Sequence, residues 1–232
     1  MLAAADPSAP EARAALATLC ETYWLPVFDF IRYTGRQTEE SRELTQAFFA
    51  RVLERGDLRN ARQERGRFRS FLLTAVRHFL ANQTEYDRAQ KRGGGQVHLT
   101  IGPADPGDPT GPVEPQSQET PETIYEHRWA LTTLETAMIR LAREYESSGR
   151  NRLFSELKAF LAGEEEASYA RAAGALDMSE GAVRVAVHRL RKHFGQCLRA
   201  TLAETVDSPD DIDGELQYLL GVINRRRPAG SL

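Results

Sequence analysis

The stretch GRFRSFLLTAVRHFLANQTEYDRAQKRGGG, residues 66–95, carries the sharpest hydrophobic period in the chain. Phe68, Phe71, Leu72, Ala75, Val76, Phe79 and Leu80 recur at helical spacing, so one stripe of a helix is apolar and its first turns pack into a core. Beyond Leu80 the same stripe passes through Gln83, Thr84 and Asp87. A helix that continues there leaves the domain body, and Gly93, Gly94 and Gly95 are expected to stop it.

Much of the remaining chain follows the same period. Leu16, Leu19, Cys20, Tyr23 and Trp24 share a face, and VFDFIRY continues it after Pro26, as two helices or one kinked helix. After a break at YTGRQTEES, Thr38 is the expected N-cap of a helix opened by Glu39 and Glu40 and continued by Leu44, Ala47, Phe48 and Val52. In the second half, Ile124, Trp129, Leu131, Leu134, Met138 and Leu141 form a broad apolar face, and RLFSELKAFLAG follows as another helix. Near the C-terminus, Ile212, Leu216, Leu219, Leu220 and Ile223 share a face behind a Ser/Asp cap, as a helix expected to pack back on one of two domains. No stretch of useful length alternates like a strand, so the expected fold is all-α.

Residues 96–121 break the pattern. QVHLTIGPADPGDPTGPVEPQSQETP is rich in Pro and Gly, has no Lys or Arg, and carries Asp105, Asp108, Glu114 and Glu119. It reads as a flexible acidic tether. The 232 residues therefore divide into a first helical domain (1–92), a linker (93–122), a second helical domain (123–203) and a C-terminal helical extension (204–232).

A net charge of −3 hides segregation of sign. Arg and Lys crowd residues 51–92 and 184–199, and acids crowd 105–122 and 204–215. No run is apolar enough for a membrane span, and MLAAADPSAPEAR lacks the features of a signal peptide, so a cytoplasmic location is expected. Cys20 and Cys197 stand at opposite ends and are read as reduced, partly buried thiols, paired neither with each other nor with a histidine as a metal site. No metal, cofactor or catalytic residue is expected. KRGGGQ lacks the Gly-Lys-Ser/Thr of a phosphate loop, and GEEEAS is an acidic lead-in to the helix after it.

YARAAGALDMSEGAVRVAVHRL fits a helix-turn-helix. Ala172, Leu176, Met178, Val183 and Val187 take its apolar slots, and Ala173 is the small residue at the helix crossing. Asp177 occupies the turn position that needs positive φ, and Ser179 caps the second helix. That helix displays Arg184, His188, Arg189, Arg191 and Lys192, cations suited to base edges and phosphates.

Three segments in order, ELTQAFFARVLE, RGRFRSFLLTAVRHFLAN and SYARAAGALDMSEGAVRVAVHRLRKHF, resemble regions 2.2, 2.3 to 2.4 and 4.2 of the bacterial sigma-70 family. The two-domain size is similar to its extracytoplasmic-function (ECF) group. The resemblance implies a subunit that binds core RNA polymerase at the β′ clamp coiled coil and the β flap and directs it to promoter DNA. An anti-sigma factor is a further candidate partner. It implies polymerase contacts at Glu43, Leu44, Gln46, Phe49 and Leu53. It implies −10 contacts at Arg62, Arg65, Arg67, Arg77, His78, Asn82 and Arg88, and −35 contacts at Ser179, Glu180, Arg184, His188, Arg189, Arg191 and Lys192.

The residues are compatible with those roles. The cations from Arg59 through Arg69 to Arg77 stand beside Phe68 and Phe71, and His78 and Asn82 lie one turn apart off the apolar stripe. The chain departs from the family pattern at Phe71, where Trp is usual, and at Arg184, Val185 and Ala186, where Lys-Ser-Arg is usual. A stand-alone helix-turn-helix regulator is the competing reading. It would have to hold DNA unaided with a net acidic chain.

Overall fold

The computed structural model describes residues 10–55, 68–91, 119–162, 168–206 and 208–225, and among them every regular element is a helix. The chain forms two compact units, Met1–Thr132 with Thr205–Leu232, and Thr133–Glu204.

In the first unit α1 (Pro10–Tyr33) packs on α2 (Thr38–Arg55), and α3 (Phe68–Lys91) lies against α1. Pro26 sits inside α1, which is one continuous helix. Thr38 is already helical, so it is not the cap; the Gln37 carbonyl accepts from the Ser41 N–H instead. Tyr23, Val27, Phe28, Phe30 and Ile31 of α1, Phe48, Phe49 and Val52 of α2, and Leu72, Val76, Phe79 and Leu80 of α3 are buried. Each such side chain contributes roughly 1.5–3 kcal/mol by leaving water. The buried Ser41 and Thr45 hydroxyls donate to carbonyls one turn back, so neither is left unsatisfied.

Two elements complete this unit from the far side of the linker. The first turns of α4 (Pro121–Ser147) bring Ile124, Tyr125 and Trp129, all buried. The Trp129 indole donates to the Tyr23 hydroxyl at 3.2 Å, and the Tyr125 hydroxyl donates to the Arg69 carbonyl at 2.9 Å. Arg128 and the buried Asp29 form an ion pair. The last described helix, α9 (Asp211–Arg225), buries Leu219, Val222 and Glu215 in the same unit. The division between units therefore falls inside α4, at Thr132, rather than near residue 123. Tyr125 and Trp129 of α4 find partners on α1 and α3, and periodicity alone does not report which surface an apolar face will choose.

The second unit contains the remainder of α4, α5 (Asn151–Leu157), the single turn α6 (Ala159–Ala162), α7 (Tyr169–Leu176) and α8 (Glu180–Ala203). Leu141, Tyr145, Leu157, Phe160, Ala172, Val183, Val187, Leu190 and Leu198 form its core. The glycine triplet at 93–95, residues 96–118 of the tether and the 163–167 segment lie outside the described residues, and the last tether residue, Pro121, opens α4.

Candidate nucleic-acid interface

The turn between α7 and α8 is built as its residues require. Ser168 caps α7 by accepting from the Arg171 N–H, and the helix ends at Asp177 with φ 55° and ψ 45°. Asp tolerates this left-handed conformation because its short polar side chain interacts locally. The Met178 N–H closes the turn on the Ala173 carbonyl at 3.0 Å. Ser179, extended at φ −73° and ψ 152°, then caps α8 by accepting from the Ala182 N–H at 3.2 Å. Ala172 and Ala173 are buried where α7 meets α8, and Val183, Val187 and Leu190 fix the inner face of α8.

With that face buried, the outer face is determined. Arg184, Val185, His188, Arg189 and Lys192 are exposed along successive turns, with Ser179 and Glu180 exposed at the start of the helix. The Arg184 guanidinium lies 4.3 Å from the Tyr169 ring centroid and 3.9 Å from the Glu180 carboxylate, which holds it near the helix N-terminus. Arg191 donates to the Phe160 carbonyl at 3.1 Å, so it ties α8 to its own domain. Val185 is 51% exposed, an apolar side chain among cations that a search for charged residues passes over.

In the first unit the cations part company. Arg69, counted from the sequence among the phosphate-binding cations, is buried and unavailable to DNA. Its guanidinium meets the Glu215 carboxylate at 2.6 and 3.4 Å and sits over the Tyr218 ring at 3.6 Å and the Trp129 ring at 5.1 Å. Arg77 is exposed but bonded to Glu122 at 2.6 and 3.2 Å. Burial raises the Glu122 carboxyl, but hydrogen bonds from Arg77, its own N–H and Thr120 outweigh it and hold the group below the ordinary carboxylate range. His78 and Asn82 are exposed one turn apart on α3. Arg62, Arg65 and Arg67, and the side chain of Arg88, lie outside the described residues.

On α2, Glu43, Gln46 and Leu53 are exposed on one face together with Ala47 and Ala50, and Leu44 is half-buried. Ala47 thus lies outside the packed stripe that periodicity gave it. Phe49 is only 5% exposed, with its ring 5.7 Å from Trp24 and 5.2 Å from Phe48. It supports the outer face from beneath and is not itself available for docking.

The ECF sigma factor family model matches residues 30–200, a span that takes in both the α2 to α3 unit and the helix-turn-helix. The chain belongs to the ECF sigma factor family. No curated protein and no solved structure matches it. As a sigma factor it has a role in transcription initiation, in a family of non-enzymatic regulators. Among the described residues of this sigma factor, no helix is long and apolar enough to cross a membrane.

Proposed function

We propose that this sigma factor binds core RNA polymerase and directs it to promoters, reading the −35 element with α8. The observation that carries this reading is the outer face of α8. Arg184, His188, Arg189 and Lys192 stand exposed around Val185 on a helix whose start is fixed by the Asp177 turn and the Ser179 cap. An α-helix so presented fits the major groove, where Arg bridges guanine edges and an apolar side chain meets a thymine methyl.

The exposed stripe Glu43, Gln46, Ala47, Ala50 and Leu53 supports docking on polymerase through α2, since its small alanines let another helix approach closely. The exposed His78 and Asn82 support contact with −10 bases, with Arg77 as a phosphate contact once Glu122 releases it. The acidic tether suits a channel of positive field such as one that holds RNA. An anti-sigma factor would find its surface on these same faces.

Arg189→Ala tests the reading. Promoter-specific run-off transcription with core polymerase should fall about 5- to 150-fold, the equivalent of one lost base or phosphate contact of about 1–3 kcal/mol, while binding to core polymerase stays unchanged. Full activity on the cognate promoter would remove Arg189 from the interface.

A further inference from the structure

His193 and Cys197 are four residues apart on α8, so their side chains stand on one face of that helix, one turn above the other. Glu144, from the part of α4 in the same unit, faces both. One of its carboxylate oxygens lies 2.5 Å from His193 Nε2, and the other accepts from Cys197 Sγ at 3.8 Å. The three donor atoms all lie within 4.8 Å of one another.

We propose that Glu144, His193 and Cys197 form a three-ligand site for a divalent cation of the zinc class. Bonds of about 2.0–2.3 Å in a tetrahedral site put donor atoms roughly 3.3–3.8 Å apart, so small side-chain rotations close this set around an ion. A thiolate with an imidazole selects zinc-like ions over magnesium or calcium, which take oxygen ligands. Two residues at i and i+4 on a helix, with a third ligand from elsewhere, is a spacing that helical zinc sites use. The local charge also closes: thiolate and carboxylate together balance the cation, and Arg140, whose positive charge is felt at Cys197, is already paired with Glu204.

Access is provided as well. Cys197 is buried, whereas the His193 and Glu144 side chains are 29% and 46% exposed, so an ion can enter and a water can complete the fourth position. Binding releases the thiol proton to solvent and cross-links α4 to the C-terminal half of the helix that carries Arg184, His188 and Arg189. The site therefore stiffens the promoter-reading helix, a consequence that rests on the proposed function; the site itself does not.

The test uses the full-length, chelator-treated chain and Co(II) as the probe. One equivalent of Co(II) should give a thiolate-to-cobalt charge-transfer band and the intense visible bands of tetrahedral coordination, both displaced by Zn(II). The band should survive Cys20→Ser and vanish in Cys197→Ser. Glu144→Gln and His193→Gln, at positions partly open to solvent, should weaken binding by about tenfold or more. Saturating Zn(II) should raise the melting temperature of the wild type by about 5 °C and leave Cys197→Ser unchanged. A band that persists in Cys197→Ser, that disappears in Cys20→Ser, or that never forms in the wild type would overturn the site.

Discussion

At the scale of single residues, the decisive feature of the first unit is where its arginines go. Arg69 spends its charge on Glu215 in a buried pair flanked by Trp129 and Tyr218. Taking two charges out of water costs several kcal/mol per ion, so the pair contributes little net stability, but removing one partner strands the other. Glu215→Ala should therefore destabilise the protein by about 3–5 kcal/mol in denaturant unfolding, and a loss below about 1 kcal/mol would mean that Arg69 finds water instead. Arg77 is the opposite case, paired at the surface and recoverable. Glu122→Gln should free it and steepen the log–log salt dependence of holoenzyme binding to promoter DNA by about 0.9; an unchanged slope would show that Arg77 meets no phosphate. Because the folded Glu122 carboxyl is depressed, its contribution to stability is present above the ordinary carboxylate range and lost as pH falls through the depressed value. Exposure of both partners keeps that contribution small.

At the scale of elements, α9 is part of the first unit and not an appendage. Leu219 and Val222 are buried, Glu215 reaches Arg69, and Tyr218 covers the guanidinium. Deleting residues 207–232 should lower the thermal stability of the chain substantially, by about 3–5 kcal/mol on the burial of these side chains alone. Unchanged melting would contradict the packing. Periodicity made α9 legible as an amphipathic helix, and the 68–80 stripe, the Asp177 turn and the Ser179 cap were legible because local chemistry decides them. Other features were hidden because they depend on partners distant in sequence. Nothing near Arg69 announces that Glu215, at the other end of the chain, will claim it, and nothing in α4 says that Trp129 will seek Tyr23. Phe49 and Ala47 exchanged their expected places because the Phe49 ring stacks inward against Trp24 of α1, which leaves Ala47 on the outer face. The His193 to Cys197 spacing was visible in the sequence, but it gained meaning only when Glu144 closed the set.

At the scale of the whole molecule, the net charge of −3 is at odds with holding DNA alone, and the cations are concentrated in short stretches of each half. A protein that neutralises few phosphates binds duplex weakly at physiological salt, which is why the proposed reading assigns promoter contact to a complex with core polymerase. That dependence separates a polymerase subunit from a self-sufficient helix-turn-helix regulator. The most direct measurement is run-off transcription across a promoter library, with core polymerase alone, with this sigma factor alone, and with both. Discrete start sites that share a −35 and a −10 sequence should appear only when both are present, and the sigma factor alone should show no tight duplex binding at physiological salt. Transcription no different from core polymerase alone, together with tight and specific binding of duplex DNA by the isolated chain, would contradict the account.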